Sequence, residues 1–454
     1  MRMFRLKQAV SNFFFRLSMK KKPIITGISA IAIIAVVAFF AVPIISYFTP
    51  YHWRNRLSRA DILYDFDYMI ATLEDNFPSF GIIYRRNGVD MLEVAGDVRH
   101  RLESERRIGF EGFWNILRDD FFYHASAEGC PLEVGHLRLV RYEEWLGSVL
   151  SYRGWNQPGR TPYRFDVLRN RPSDPRYRYL EARTTVLERE AGWVQHRVSS
   201  VNIIEEGQIG YIRLYTFLRE PSIEEWNRLL YFYNEIADFE HLIIDIRGNT
   251  GGQPLFFYHM VTSFLIDRPL TTRFHHFMLG GEHNMRLLTA VGAQHRRAWS
   301  ANDEGFNLGG QQRLFIDADV SSYIMQDIAK MDYRFIEHVQ IRPWHENYRS
   351  RFSGQIWMLI DESNYSAALK VAAVHKQAGF ATFVGETTSG GAAGQWSSNF
   401  IALPNSGIII RYDPTLVLDI HGRPLEYGIE PHHFNRPGMD ALETVLALIA
   451  EGEY

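Results

Sequence analysis

Only one cysteine, Cys130, occurs in 454 residues. An intramolecular disulfide and a cysteine-built metal site are therefore excluded, while the compartment stays open. No "GK[ST]" follows the glycine-rich turn "RGNTGG" (247–252), so that turn is not a phosphate loop. The histidine pairs at 275–276 and 432–433 lack the i,i+4 spacing with a glutamate that marks a zinc helix. They are assigned solvated or packing roles, and neither metal nor cofactor is expected. Internal repeats and low-complexity segments are missing as well.

Two further absences lie at the start of the chain. Residues 1–22 contain no acid but seven cations: Arg2, Arg5, Lys7, Arg16, Lys20, Lys21 and Lys22. Residues 23–51, "PIITGISAIAIIAVVAFFAVPIISYFTPY", contain no charge at all. Roughly 20 apolar residues span a bilayer, and a basic flank stays on the cytoplasmic side. The expectation is a basic cytoplasmic tail (1–22), a transmembrane anchor (23–49) and an extracytoplasmic body. A cleaved signal would have a shorter apolar run and a small-x-small site, which "VPIISYF" does not offer. The whole chain carries −3; without the seven cations of the tail the rest carries −10. An acidic body of this kind speaks against nucleic acid as a partner.

With 46% hydrophobic residues the chain can bury a large core. Residues 57–130 read as a helical module. In "SRADILYDFDYMIATLEDNFPS", Ser58 is the N-cap, Ile62, Phe66, Met69 and Leu73 form the apolar stripe, and Pro78 ends the helix. Residues 131–206 read as a mostly extended connection, without a peptide-binding PDZ pattern. From 207 onward strands and helices alternate. "GQIGYIRLYTF", "HLIIDI", "GQIWMLID" and "ATFVGE" are strands, and "SIEEWNRLLYFYNEIAD" is a helix with a Ser222/Glu225 capping box. This order predicts an α/β core over 207–454 with a partly parallel sheet. Residues 254–351, polar and rich in Gly and His, read as an insertion and a candidate lid.

In "LIDESNYSAALKVAA" (359–373), Ser366 stands where turn becomes helix. A serine there is commonly only a cap. The free N–H groups and partial positive charge of a helix start would also stabilise an alkoxide or an oxyanion. The hydroxyl then needs a base. Lys370 lies four residues into the same helix and is read as a surface residue. His136, in "EVGHLRL", lies in a turn entering a strand.

The ordered blocks "GYIRLYTF", "HLIIDIRGNTGG", "IWMLIDESNYSAALKVAA", "ATFVGETTSGGAAG" and "LEYGIEPHH" resemble the C-terminal processing (tail-specific) serine protease family. Tricorn-type protease cores and retinoid-binding modules are relatives. The blocks cover about 207–435, with a looser similarity over 58–140. The resemblance implies a crotonase-like ββα core in the α/β class. It places Ser366 on the nucleophile and the N–H groups of Gly252 and Ala367 on the oxyanion hole. Asp245 and Arg247 fall on a strand-end ion pair. The lysine base of the PDZ-containing branch falls on Gly391, so a Ser–Lys dyad is unavailable. The tricorn-like branch without a PDZ domain uses Ser, His and Glu, and the matching residues here are His136 as base and Glu426 as orienting carboxylate. Glu386 and Glu430 are rival carboxylates. The implied activity is a membrane-anchored serine endopeptidase that cleaves peptides or protein tails. A catalytically silent binding module of the same fold and an ester-directed acyl hydrolase stay open as alternatives.

Overall fold

The computed structural model describes residues 57–105, 108–126, 134–140, 199–217, 222–289, 322–346, 349–391 and 398–453. The basic tail, the expected anchor, Cys130 and most of 131–206 lie outside the described residues. Among the described residues no helix is long and apolar enough to cross a membrane.

Helices α1 (Arg59–Asn76), α2 (Phe80–Asn87), α3 (Met91–Ser104) and α4 (Phe110–Ile116) form the helical module. Helix α1 starts in a capping box between Ser58 and Asp61. It stops at Asn76, ahead of Pro78, where the residue before a proline is pushed out of helical geometry. Ile62, Phe66, Met69 and Leu73 are all buried, as their spacing predicts.

Among the described residues the strands are β1 (Arg138–Leu139), β2 (Ser199–Glu205), β3 (Ile209–Leu214), β4 (His241–Asp245), β5 (Leu270–Met278), β6 (Tyr333–Ile341), β7 (Gln355–Ile360), β8 (Thr382–Gly385), β9 (Asn399–Ala402), β10 (Ile409–Tyr412), β11 (Leu416–Leu418) and β12 (His433–Phe434). The central sheet has the order β12-β8-β7-β4-β3-β2. All its neighbours are parallel except the β2–β3 pair. The longer helices of this part include α5 (Ile223–Glu235), α6 (Ala367–Gln377) and α7 (Ala441–Glu451).

The uninterrupted apolar run of β4 has a direct cause. Leu242 and Ile244 pack with α5 and α6 on one face, and Ile243 packs with Ala441, Val445 and Leu448 of α7 on the other. A strand covered on both faces has no polar side to present. Each fully buried side chain of this type contributes about 1.5–3 kcal/mol.

Segment 254–351 is not only an insertion over the core. Its strand β5 pairs with β6 on one side and with β11 on the other, in a second sheet of order β11-β5-β6. The helical module is likewise no detached unit. Its helices share one hydrophobic core with Val134, Leu137, Leu139 and the β9–β10 hairpin. Asp65, buried on α1, accepts hydrogen bonds from the backbone N–H groups of Asn405 (2.8 Å) and Ser406 (2.6 Å) in the turn of that hairpin. Strand β1 then pairs with β10, Arg138 opposite Arg411 and Leu139 opposite Ile410. These contacts deliver the turn at 134–136 to the site.

Candidate active site

The chain after β4 folds back as "RGNTGG". The Gly248 N–H donates to Asp361 at 3.0 Å, Gly251 N–H to Asn249 Oδ1 at 2.9 Å, and Asn364 Nδ2 to the Ile246 carbonyl at 2.5 Å. These bonds stitch the turn after β4 to the turn after β7, which carries Ser366. Gly251 sits at φ +105, and a Cβ there would lie 2.7 Å from both Ala367 N and Tyr365 O. Only glycine fits between the two turns. A parallel bridge from Phe217 uses the Gly251 carbonyl (3.0 Å) and the Gln253 N–H (2.9 Å), so the Gly252 N–H stays outside that ladder.

Ser366 precedes α6 with φ +54 and ψ −115, and its side chain makes no cap hydrogen bond. The cap reading of this serine is therefore set aside: the hydroxyl is not spent on the helix. Ala367, the first residue of α6, has no carbonyl one helical turn back to receive its N–H. Among the described residues only two other than glycine have positive φ, Ser366 and His136 (φ +52). Such a backbone costs of order 1–3 kcal/mol and persists where the surroundings enforce it.

His136 is buried and follows Gly135, another positive-φ residue. The Asp413 N–H donates to the Gly135 carbonyl at 2.8 Å and holds this turn against the end of β10. The imidazole packs edge-on against the Tyr365 ring, with centroids 4.8 Å apart, beside the strained serine. Its Nδ1 lies 2.9 Å from Asp413 Oδ2. With Nδ1–H donating to that carboxylate, a neutral ring would keep its lone pair on Nε2.

This corrects the expectation for the orienting carboxylate. Asp413, not Glu426, Glu386 or Glu430, holds Nδ1. Glu386 is bonded by Asn435 Nδ2 at 3.2 Å, and Glu430 pairs with Arg423 at 2.6 Å. Glu426 is nearby but differently placed. It is buried in the 3-10 turn Leu425–Tyr427, and its Oε2 has no hydrogen-bond partner. Gly390 and Gly391 run between it and the serine turn. A Cβ on Gly390 would lie 1.5 Å from the Glu426 carbonyl oxygen, and one on Gly391 would lie 1.9 Å from the Tyr365 ring. Burial, then the Asp413 charge, push the Glu426 carboxyl up to about 7, against the pull of Arg86 and the Gly135 and Gly391 amides.

A raised acid binds its proton more tightly in the folded than in the unfolded chain. The resulting stabilisation is complete below the ordinary value of 4.5 and is lost as pH rises to about 7. Glu426→Gln should therefore reduce the drop in thermal midpoint between about pH 5 and pH 8. Equal drops in the two proteins would contradict a buried neutral Glu426.

A second correction concerns Lys370. It is buried, not at the surface: its ammonium pairs with Glu337 of β6 and sits 3.7 Å from the Phe274 ring centroid. His276 Nε2 lies 2.9 Å from the same carboxylate. Burial pushes Glu337 up, but Lys370 and His276 pull it down to about 2. Of the other histidines singled out by the sequence, His432 Nδ1 accepts from the Phe383 N–H at 2.8 Å. No cluster of metal-ligating side chains occurs among the described residues. Asp245 and Arg247 do form the strand-end ion pair, at 2.8 Å.

Comparison with known proteins falls on the same segment. Residues 208–433, about half of the chain, match the model of peptidase family S41. A protein of Chlamydia trachomatis serovar D is 26% identical over 249 residues, covering 50% of this chain and 40% of that protein. A protein of Chlamydia muridarum is 27% identical over 251 residues, covering 49% and 40%. The chain thus matches two-fifths of the length of these relatives. Among solved structures, mature CPAF complexed with lactacystin superposes with a TM-score of 0.50 at 16% identity, covering 87% of this chain and 98% of that one. At that identity the superposition speaks for the fold.

Proposed function

Because the chain belongs to peptidase family S41 and is a serine peptidase, we propose that it cleaves peptides or protein tails through an acyl-enzyme on Ser366, with His136 as base. The observation that carries this reading is the positive φ of both Ser366 and His136, with the imidazole packed on Tyr365, the residue before the serine, and bonded to Asp413.

In this reading Ser366 Oγ attacks the scissile carbonyl carbon while His136 Nε2 takes its proton. The C=O electron pair moves onto oxygen, which the N–H groups of Gly252 and Ala367 receive. Both donors are positioned beforehand, one in a glycine turn and the other at a helix start. Removing one such donor typically costs about 10²–10³ in turnover. The imidazolium then protonates the leaving amine, and water hydrolyses the acyl-enzyme by the reverse proton route. Asp413 stabilises the imidazolium throughout.

The membrane part of the proposal rests on the cations of 1–22 and the uncharged run 23–51: a single anchor with the peptidase body outside the cytoplasm.

The experiment is labelling by an alkyl fluorophosphonate together with casein digestion. Ser366→Ala and His136→Ala should each abolish both while leaving the circular dichroism spectrum native. Labelling that survives in Ser366→Ala would remove the assignment. Ester turnover without casein cleavage would restrict the activity to acyl hydrolysis.

A further inference from the structure

Two carboxyls stand behind His136: Asp413 on its Nδ1, and Glu426 buried alongside with an oxygen that has no hydrogen-bond partner. Two buried carboxyls whose charges repel do not both ionise readily, which favours a proton on one of them. Their surroundings are unequal. Asp413 Oδ1 accepts from Ser398 Oγ at 2.5 Å, and Arg411 Nε donates to that same Ser398 oxygen at 2.9 Å. With its oxygen taken by the guanidinium, the serine hydroxyl points its proton at Asp413. The bonds Arg411→Ser398→Asp413 run in one direction, and His136 donates to the other carboxylate oxygen.

Glu426 has no such chain. Arg86 directs Nη1 to the Glu426 backbone carbonyl at 3.0 Å. Arg85, next to it on α2, is engaged by Tyr427 and Asp327. On β1, Arg138 stands opposite Arg411 in register and donates to the Leu139 carbonyl. No other titratable side chain is bonded to Asp413 among the described residues.

We infer that Arg411, acting through Ser398, fixes which of the two carboxyls behind His136 carries the negative charge, and that it is Asp413. Arg411 and Ser398 are positioning residues: neither touches the reacting atoms. The inference rests on His136 being the base for Ser366. That part is tested separately, by the loss of labelling in His136→Ala.

The test is the pH profile of Ser366 labelling by an alkyl fluorophosphonate. In Arg411→Met the proton is free to move from Glu426 to Asp413. The imidazolium then loses its adjacent charge. The plateau rate should fall about tenfold and the acid limb should move to lower pH. Ser398→Ala should shift the profile in the same direction. Arg411→Lys should recover most of the rate if charge is what matters. The decisive variant is Arg411→Met combined with Glu426→Gln. A glutamine cannot take over the charge, so Asp413 keeps it and the rate should rise above that of Arg411→Met alone.

An Arg411→Met profile superimposable on wild type would overturn the inference. So would a double variant as slow as the single one with a native near-ultraviolet dichroism spectrum. Should Arg411→Met fail to fold, the profiles of Ser398→Ala and Arg411→Lys decide: wild-type behaviour in the first, or no activity in a folded second, would overturn it equally.

Discussion

Asp413→Asn should lower kcat by about 10³–10⁴-fold at neutral pH with little change in KM. The argument is one of tautomers. A carboxylate at 2.9 Å from Nδ1 keeps the proton there and leaves Nε2 able to accept. A carboxamide can present an N–H to Nδ1 instead and drive the ring proton to Nε2, where it blocks transfer from Ser366. The side chain keeps its shape, so substrate contacts and folding should survive. Glu426→Gln is the control, because Asp413 and not Glu426 is bonded to Nδ1; less than about tenfold is expected. Steady-state kinetics on a casein-derived peptide would measure both. A Glu426→Gln variant more damaged than Asp413→Asn would return the orienting role to Glu426.

Lys370→Met should destabilise the fold by about 3–5 kcal/mol, read as a lowered urea midpoint. Removing the ammonium leaves Glu337 buried with a charge that only His276 can balance. It also removes the cation over the Phe274 ring. Glu337→Gln combined with Lys370→Met should regain part of the loss, since no uncompensated charge is then buried. A single variant within about 0.5 kcal/mol of wild type would mean that the pair is hydrated in solution. Lys370 lies one helical turn beyond Ser366, while Glu337 and His276 lie on β6 and β5. The ion pair therefore ties the serine-bearing helix to the β5–β6 pair of the second sheet.

The periodic parts of this fold were legible in the sequence. The stripe of α1, the Ser222/Glu225 box of α5 and the double-sided burial of β4 each follow from local spacing. The serine turn and the glycine turn were legible for a related reason: each is a short contiguous signal. The carboxylate was not. Asp413 ends a short strand in "IIIRYDPT", with nothing local to separate it from other turn aspartates. It meets His136, 277 positions away, because β1 and β10 pair antiparallel. Lys370 was misread for the opposite reason. Helix periodicity places it away from the cap, but only the second sheet reveals that this side is covered.

The serine and the histidine belong to different packed interiors. Ala367 and Ala368, just after Ser366, are buried with the central sheet, whereas Val134 and Leu137, flanking His136, are buried with the N-terminal helices and the β9–β10 hairpin. The proposed chemistry thus depends on the register between two hydrophobic clusters of one compact unit. A core substitution in either cluster should therefore lower turnover before it unfolds the chain.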